Sequence, residues 1–369
     1  MSVNQFNPVK ETVKENNSQP SRDNFPLNMW YVAALSKEIQ NEPLARMLLN
    51  EAVVLFRTQD GEVKALEDRC CHRSLPLSKG TLEADGIRCG YHGLLFDGEG
   101  KCIDIPGQAK IPTKAVVSKY HIREQDALVW IWFGTDKNSK PDCEPPRYEV
   151  HSNGEYLFDG SVYHYQAPYQ LIHDNLLDLS HLGYVHLKTI GGNAKIHMNA
   201  EMKVKEEGNS VTVTRYMMNS TPPPTYSAAY PFQGNIDRWQ EITFYPSHIE
   251  IFTGAVDCNT DSVDDPNRKG FHMKGFHALT PQTDTSSFYL WTIASNPTED
   301  PEQTIKLIVE QTAATFDEDK EIIEAQYKNM QQFGPKKLID IHVDVAPNRA
   351  RKIIDRLKNT QSTEELSVS

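Results

Sequence analysis

The spacing of apolar positions divides the chain into two unlike parts. From Met29 onward, short apolar runs alternate with turn residues. Trp30-Tyr31-Val32 comes first, then Ala52-Val53-Val54-Leu55-Phe56, a turn at Asp60-Gly61, and Val63-Lys64-Ala65-Leu66. Leu94-Leu95-Phe96 and the run Ala127 to Phe133 extend the series, so residues 26–135 read as a small all-β domain. Residues 136–148 are charged and proline-rich and read as a linker. Beyond them the pattern mixes: a helical segment around 170–186, strands near 211–217, 239–254, 270–280 and 286–294, and a long helix from about Glu302 to Gln332. In that helix Ile305, Ile308, Val309, Ala313, Phe316, Ile322, Ile323 and Ala325 recur at helical spacing among acids and lysines. A basic amphipathic helix covers roughly Asn348 to Lys358. Strands bracketed by helices predict an α+β fold over 149–358, an antiparallel sheet around a helix. Residues 1–25 and 359–369 read as flexible tails.

Composition narrows the class. A chain of 369 residues with 38% hydrophobic positions suits two domains with buried cores. The formal net charge of −12 argues against nucleic acid and against an anionic membrane surface. No stretch approaches the roughly 20 apolar residues of a membrane span. Residues Met1 to Asn24 are polar and lack the apolar core of a signal peptide, which predicts a cytoplasmic protein. In that compartment, six cysteines point to metal ligation or catalysis before disulfides. Cys102, Cys143 and Cys258 stand alone and read as ordinary thiols.

The other three cysteines do not stand alone. Cys70-Cys71-His72 and Cys89-Gly90-Tyr91-His92 form Cys-x-His and Cys-x-x-His, separated by sixteen residues. Structural zinc sites usually pair like with like, whereas each pair here contributes one thiolate and one imidazole. That interleaving suits a 2Fe-2S cluster with two Cys on one iron and two His on the other. The segments Asp68 to Arg73 and Cys89 to Gly93 resemble the cluster loops of the Rieske non-haem iron oxygenases. The resemblance implies an N-terminal Rieske domain, with Cys70, His72, Cys89 and His92 as cluster ligands, followed by a helix-grip catalytic domain. Cys71 departs from the family, which usually has proline there.

A second constellation lies in Asp174 to His186. On a helix Asp178 and His181 share a face. His181 and His186 are five apart, about 500° of rotation, and meet at one ion only if the helix ends or loosens, which Gly183 would permit. Asn175-x-x-Asp178-x-x-His181-x-x-x-x-His186 is similar to the family's mononuclear iron signature. By that resemblance His181 and His186 bind Fe(II), and Asp178 links the two centres without being a ligand. A carboxylate should complete the facial triad. Asp317, Glu318 and Asp319 compete for this role on spacing alone; the family's Phe-x-Glu-Asp pattern and the flank of the apolar stripe favour Asp319. Gln240 and His277 are candidate substrate contacts. His173 and His197 lie outside the signature and read as packing or surface residues.

Trp30-Tyr31-Val32-Ala33, Ile105-Pro106-Gly107-Gln108, Asp237-Arg238-Trp239 and Arg351 to Arg356 resemble the vanillate O-demethylase branch, a likeness spanning about residues 26–358. It implies an oxygenase component that uses O₂ and electrons from a flavin/iron-sulfur reductase to hydroxylate or O-demethylate an aromatic acid. Diaryl ethers, aromatic sulfonates and N-methyl compounds are the alternative substrates, and a non-catalytic Rieske electron-transfer protein is the alternative class. It also implies a homotrimer in which the cluster of one subunit faces the iron of the next.

Overall fold

The computed structural model describes residues 20–368, except 138, 188, 192, 193, 266, 335 and 337, so the expected N-terminal tail lies outside it as far as residue 19. The N-terminal part contains β1 (Met29–Leu35), β2 (Leu44–Leu48), β3 (Glu51–Arg57), β4 (Val63–Glu67), β5 (Thr81–Glu83) and β6 (Gly86–Arg88). It continues with β7 (Leu95–Phe96), β8 (Cys102–Asp104), β9 (Ile122–Gln125) and β10 (Leu128–Phe133). These strands form three small antiparallel sheets, ordered β1-β10-β9, β2-β3-β4 and β5-β6-β7-β8.

The second part opens with β11 (Leu157–Tyr165), α1 (Tyr169–Leu177), α2 (Leu182–Val185), α3 (Ala194–Met198), β12 (Glu201–Glu207) and β13 (Ser210–Ser220). Then come α4 (Pro224–Ala229), β14 (Ile236–Tyr245), β15 (His248–Asp257), β16 (Phe271–Thr283), β17 (Ser286–Ser295), α5 (Pro301–Phe333) and α6 (Val345–Val368). Its strands make one seven-stranded antiparallel sheet, ordered β11-β17-β16-β15-β14-β13-β12. The apolar stretch expected near 239–254 is two strands, β14 and β15, reversing between Tyr245 and His248. The edge strands β11 and β12 were not predicted. β12 carries only Met202 and Val204 among charged residues, too thin an alternation to stand out. Helix α6 continues past Lys358, through residues read as a tail.

Helix α5 begins where Asp300 accepts from the Gln303 N–H, with Pro301 preset for the first turn, and ends before Gly334 at φ +70°. Its buried residues, Ile308, Thr315, Phe316, Asp319 and Ile323, form one stripe. That stripe faces the sheet: Tyr163 and Tyr165 of β11 donate to the carbonyls of Ala313 and Phe316, and the Phe316 ring meets Trp291 edge-on at 5.1 Å. The stripe therefore places a buried carboxylate, Asp319, under the sheet.

The two parts share a core. Tyr31, Val53 and Phe133 belong to the same apolar cluster as Tyr165, Leu279 and Phe316. Leu49 and Asn50 N–H groups donate to the carbonyls of Pro281 and Gln282 at 2.9 and 3.0 Å. Thr280 Oγ1 donates to the Val32 carbonyl at 2.7 Å. A separate cluster, including Leu77, Ile87, Leu94 and Phe96, surrounds Cys70 and Cys89.

The segment 170–186 is not one helix. It breaks at Asp178 (φ −118°, ψ 92°), before His181, and resumes as a 3-10 turn, Leu179–His181, leading into α2. Gly183 is not what loosens it. A Cβ there would lie 2.1 Å from Ala194 Cα, so glycine is required by the close approach of α3. We expect Gly183→Ala to lower stability by about 1–3 kcal/mol, since backbone must move. A thermal melt at the wild-type midpoint would refute that packing role.

Candidate metal centres

The cluster loops are built twice on one plan. Cys70 N–H donates to the Leu75 carbonyl and Ser74 N–H returns to the Cys70 carbonyl. Cys89 N–H donates to Leu94, and Gly93 N–H returns to Cys89. Ser74 and Gly93, at matching positions, both have positive φ, 57° and 74°. The turns bury Cys70 and Cys89 and leave His72 and His92 exposed, ring centroids 4.5 Å apart. Burial pushes the Cys70 thiol up to about 11, and Cys89 beside it adds to the rise. Asp68 braces the first loop by accepting from Ser78 N–H and Oγ at 2.7 and 2.6 Å. Two buried sulfurs and two exposed imidazoles within reach of one another are the donor set that would hold a 2Fe-2S cluster by two Cys and two His. Cys71 is exposed, Cys102 buried, Cys143 exposed and Cys258 partly buried, and no two of the six cysteines form a disulfide.

The second group assembles from the broken helix and α5. His181 Nε2 lies 3.4 Å, and His186 Nε2 3.1 Å, from Asp319 Oδ1. The three donor atoms fall within 4.8 Å of one another. Ligands about 2.1 Å from an ion and about 90° apart sit about 3 Å from each other, so these spacings fit a facial triad. The far ring nitrogens fix the tautomers. His181 Nδ1–H donates to the backbone carbonyl of Asp178 at 2.6 Å, and His186 Nδ1–H to Glu318 Oε2 at 2.7 Å. Both Nε2 lone pairs are therefore left for a metal.

Burial alone would raise the Asp319 carboxyl, but His181 and His186, when protonated at Nε2 as well, outweigh it and hold the group down at about 2, so the acid stays ionised beside a positive charge. Burial would lower His186, and Asp319 and Glu318 overcome it, so its pKa is raised. Asn175 Nδ2 donates to Asp319 Oδ1 at 2.9 Å and approaches His181 Nε2 at 3.4 Å. The Asp178 carboxylate accepts from Ser180 N–H at 2.9 Å, so it touches His181 only through its main chain. Of the three acids in competition, Asp317 is exposed, Glu318 is the partner of His186, and Asp319 is the buried one.

A mostly apolar cavity of about 90 Å³ opens onto the triad. Gln240 of β14 and His277 of β16 line it. His277 Nδ1 bonds the Tyr289 hydroxyl at 2.7 Å, and burial holds the imidazole neutral, at about 3. His173 and His197 are both buried. Burial first, then the neighbouring Arg238, brings His197 down to about 4.

Family comparisons agree with both halves of this picture. Residues 165–360 match the profile described as the vanillate O-demethylase oxygenase C-terminal domain, and residues 29–118 match the Rieske [2Fe-2S] domain. The chain belongs to the Rieske non-haem iron oxygenases. It is 36% identical to the toluene-4-sulfonate monooxygenase system iron-sulfur subunit TsaM1 of Comamonas testosteroni, over 92% of this chain and 98% of that one. It is 33% identical to a vanillate O-demethylase oxygenase subunit of Pseudomonas sp. (strain HR199 / DSM 7063), over 90% and 95% of the two chains. The crystal structure of dicamba monooxygenase bound to 3,6-dichlorosalicylic acid superposes with a TM-score of 0.83 at 29% identity, covering 91% of this chain and 98% of that one.

As a member of this family, the oxygenase takes a Rieske 2Fe-2S cluster and a mononuclear non-haem iron. The donor sets described above fit both. One residue of this region was not legible as an orienting group in the sequence. Glu318 reads there as a solvated acid or a rival ligand, and only the fold turns it toward His186 Nδ1. Removing the carboxylate that orients a ligating histidine usually costs about 10–100-fold in metal affinity or activity. We therefore expect Glu318→Ala to weaken Fe(II) binding by about 10-fold or more in that range, read by competition with a chelator.

Proposed function

We propose that this oxygenase hydroxylates a methyl group on a vanillate-like aromatic acid, and that the hemiacetal formed from a methyl ether then loses formaldehyde. An aromatic sulfonate is the second reading, favoured by the identity to the toluene-4-sulfonate subunit. The observation that carries the proposal is the apolar cavity opening directly onto His181, His186 and Asp319. In our reading these three residues hold the iron, while Cys70, His72, Cys89 and His92 hold the cluster. When bound, the two centres supply O₂ activation and single electrons; one oxygen atom enters the substrate and the other leaves as water.

The chain's own residues do the rest. Asp178 O and Glu318 orient the two imidazoles, Asn175 steadies Asp319, and the apolar wall excludes water while presenting the methyl carbon. The reductase partner follows from relatives named as components of multicomponent systems. A homotrimer is supported by two exposed surfaces. Tyr91 is 63% exposed beside His92, and Tyr184 and Leu187 are 67% and 60% exposed beside the iron site. Docking the first surface of one subunit on the second of its neighbour would bring a cluster histidine toward Asp178. Six cysteines with no disulfide among them are in keeping with the cytoplasmic location we propose. Among the described residues, no helix is long and apolar enough to cross a membrane.

The test is oxygen consumption with product and formaldehyde detection over methoxybenzoates, aromatic sulfonates, diaryl ethers and N-methyl aromatics, with a surrogate reductase. Coupled product from a methoxybenzoate supports the reading. Oxygen use without product from every methyl ether would overturn demethylation.

A further inference from the structure

The cavity contains a charge that the metal chemistry does not use. Arg238 is 4% exposed and lines the cavity, with no hydrogen bond or ion pair from its guanidinium among the described residues. Its guanidinium lies over the Tyr226 ring at 4.7 Å, which fixes the plane of the fork. The Tyr226 hydroxyl is tied to Thr253 at 2.8 Å, so the platform is itself anchored. Gln240, two residues along β14 on the same face, is 3% exposed and has its Oε1 buried without a partner.

A second arginine raises the local charge. Arg215 sits directly across from Gln240 in the strand pairing, is 3% exposed, and has Nε and Nη1 unpartnered. Asp178 is the acid that acts on Arg215, whereas no carboxylate pairs with Arg238 among the described residues. Buried charges are normally paired, and a lone buried guanidinium is costly.

We propose that Arg238 is the anchor for an anionic substituent of the aromatic substrate, a carboxylate or sulfonate bound by its guanidinium fork, with the Gln240 amide beside it. This rests on the cavity being the substrate site and adds the residue that makes the anion a requirement. Arg238 acts in specificity: it holds the ring so that the carbon to be oxidised faces the triad, and an uncharged ring leaves the guanidinium buried and unpaired. Removing one partner of such a pair is far more costly than never forming it.

The experiment compares isosteric pairs on the holoprotein with a surrogate reductase: 4-methoxybenzoate against 4-methoxybenzamide, and toluene-4-sulfonate against toluene-4-sulfonamide. We expect wild type to favour the anion of at least one pair by about 100-fold or more in kcat/KM, expressed mainly in KM. In Arg238→Gln that preference falls below about fivefold, and Arg238→Lys, which keeps a charge but loses the fork, retains about tenfold. Cluster absorption and iron content matching wild type show that the variants are folded. An Arg238→Gln enzyme that keeps the wild-type preference overturns the assignment. So does a wild type that treats amide and acid alike, which would leave methyl hydroxylation itself standing. If wild type turns over none of the four, the proposed reaction is what fails. Calorimetric binding of the same pairs then decides the anchor, by whether the anion binds more tightly and loses that advantage in Arg238→Gln.

Discussion

Replacing Asp319 by alanine removes the mononuclear iron and leaves the cluster in place. The carboxylate is the one acid among Asp317, Glu318 and Asp319 that is buried and within 3.4 Å of both histidine Nε2 atoms. Without it His181 and His186 offer only two neutral donors, and the site is one ligand short of a facial triad. The cluster loops belong to a separate apolar cluster in the N-terminal part, so nothing in the substitution reaches them. We expect iron to fall from about three to about two per chain with acid-labile sulfide unchanged at about two, and product to fall to background. Normal iron content in this variant would mean that another residue closes the site.

Asp178→Asn has the opposite signature: both metals stay and turnover goes. The residue makes its two local contacts through groups that asparagine keeps. Its main-chain carbonyl accepts from His181 Nδ1, and its Oδ1 accepts from Ser180 N–H. The substitution therefore removes only the negative charge. That charge acts on Arg215 within the subunit and, in the proposed trimer, would face a cluster histidine N–H of the neighbour. In the proposed trimer a carboxylate in this position would couple the electron-delivering centre to the geometry of the iron, and its loss should lower coupled turnover by about 100-fold. Substrate hydroxylation at the wild-type rate, with three irons retained, would refute the role.

Much of this organisation could be read before the fold was known, because its signals are local. The interleaved Cys and His pairs occupy two tight turns, and the apolar stripe of α5 lies on one helix. What could not be read depends on distant partners. The segment 170–186 has helical periodicity throughout, yet the chain leaves the helix at Asp178, whose carboxylate captures Ser180 N–H. Gly183 looks like a hinge in sequence, and only the packing of Ala194 against it shows why it is glycine. Glu318 and Asp319 are neighbours in an acidic run, and about 100° of helical rotation separates an orienting carboxylate from a buried one. Arg238 stands in a segment the sequence marks, Asp237-Arg238-Trp239, but only the fold shows that it lines the cavity with no carboxylate paired to it among the described residues.

A single-turnover reaction tests the central claim most directly, because it needs no reductase. The anaerobically reduced, metal-loaded protein is mixed with oxygenated buffer and 4-methoxybenzoate or toluene-4-sulfonate. The account predicts hydroxylated or demethylated product approaching one per mononuclear iron, none of it formed by Asp319→Ala. Oxidation of the cluster with no product from either substrate, or equal product from Asp319→Ala, would contradict it.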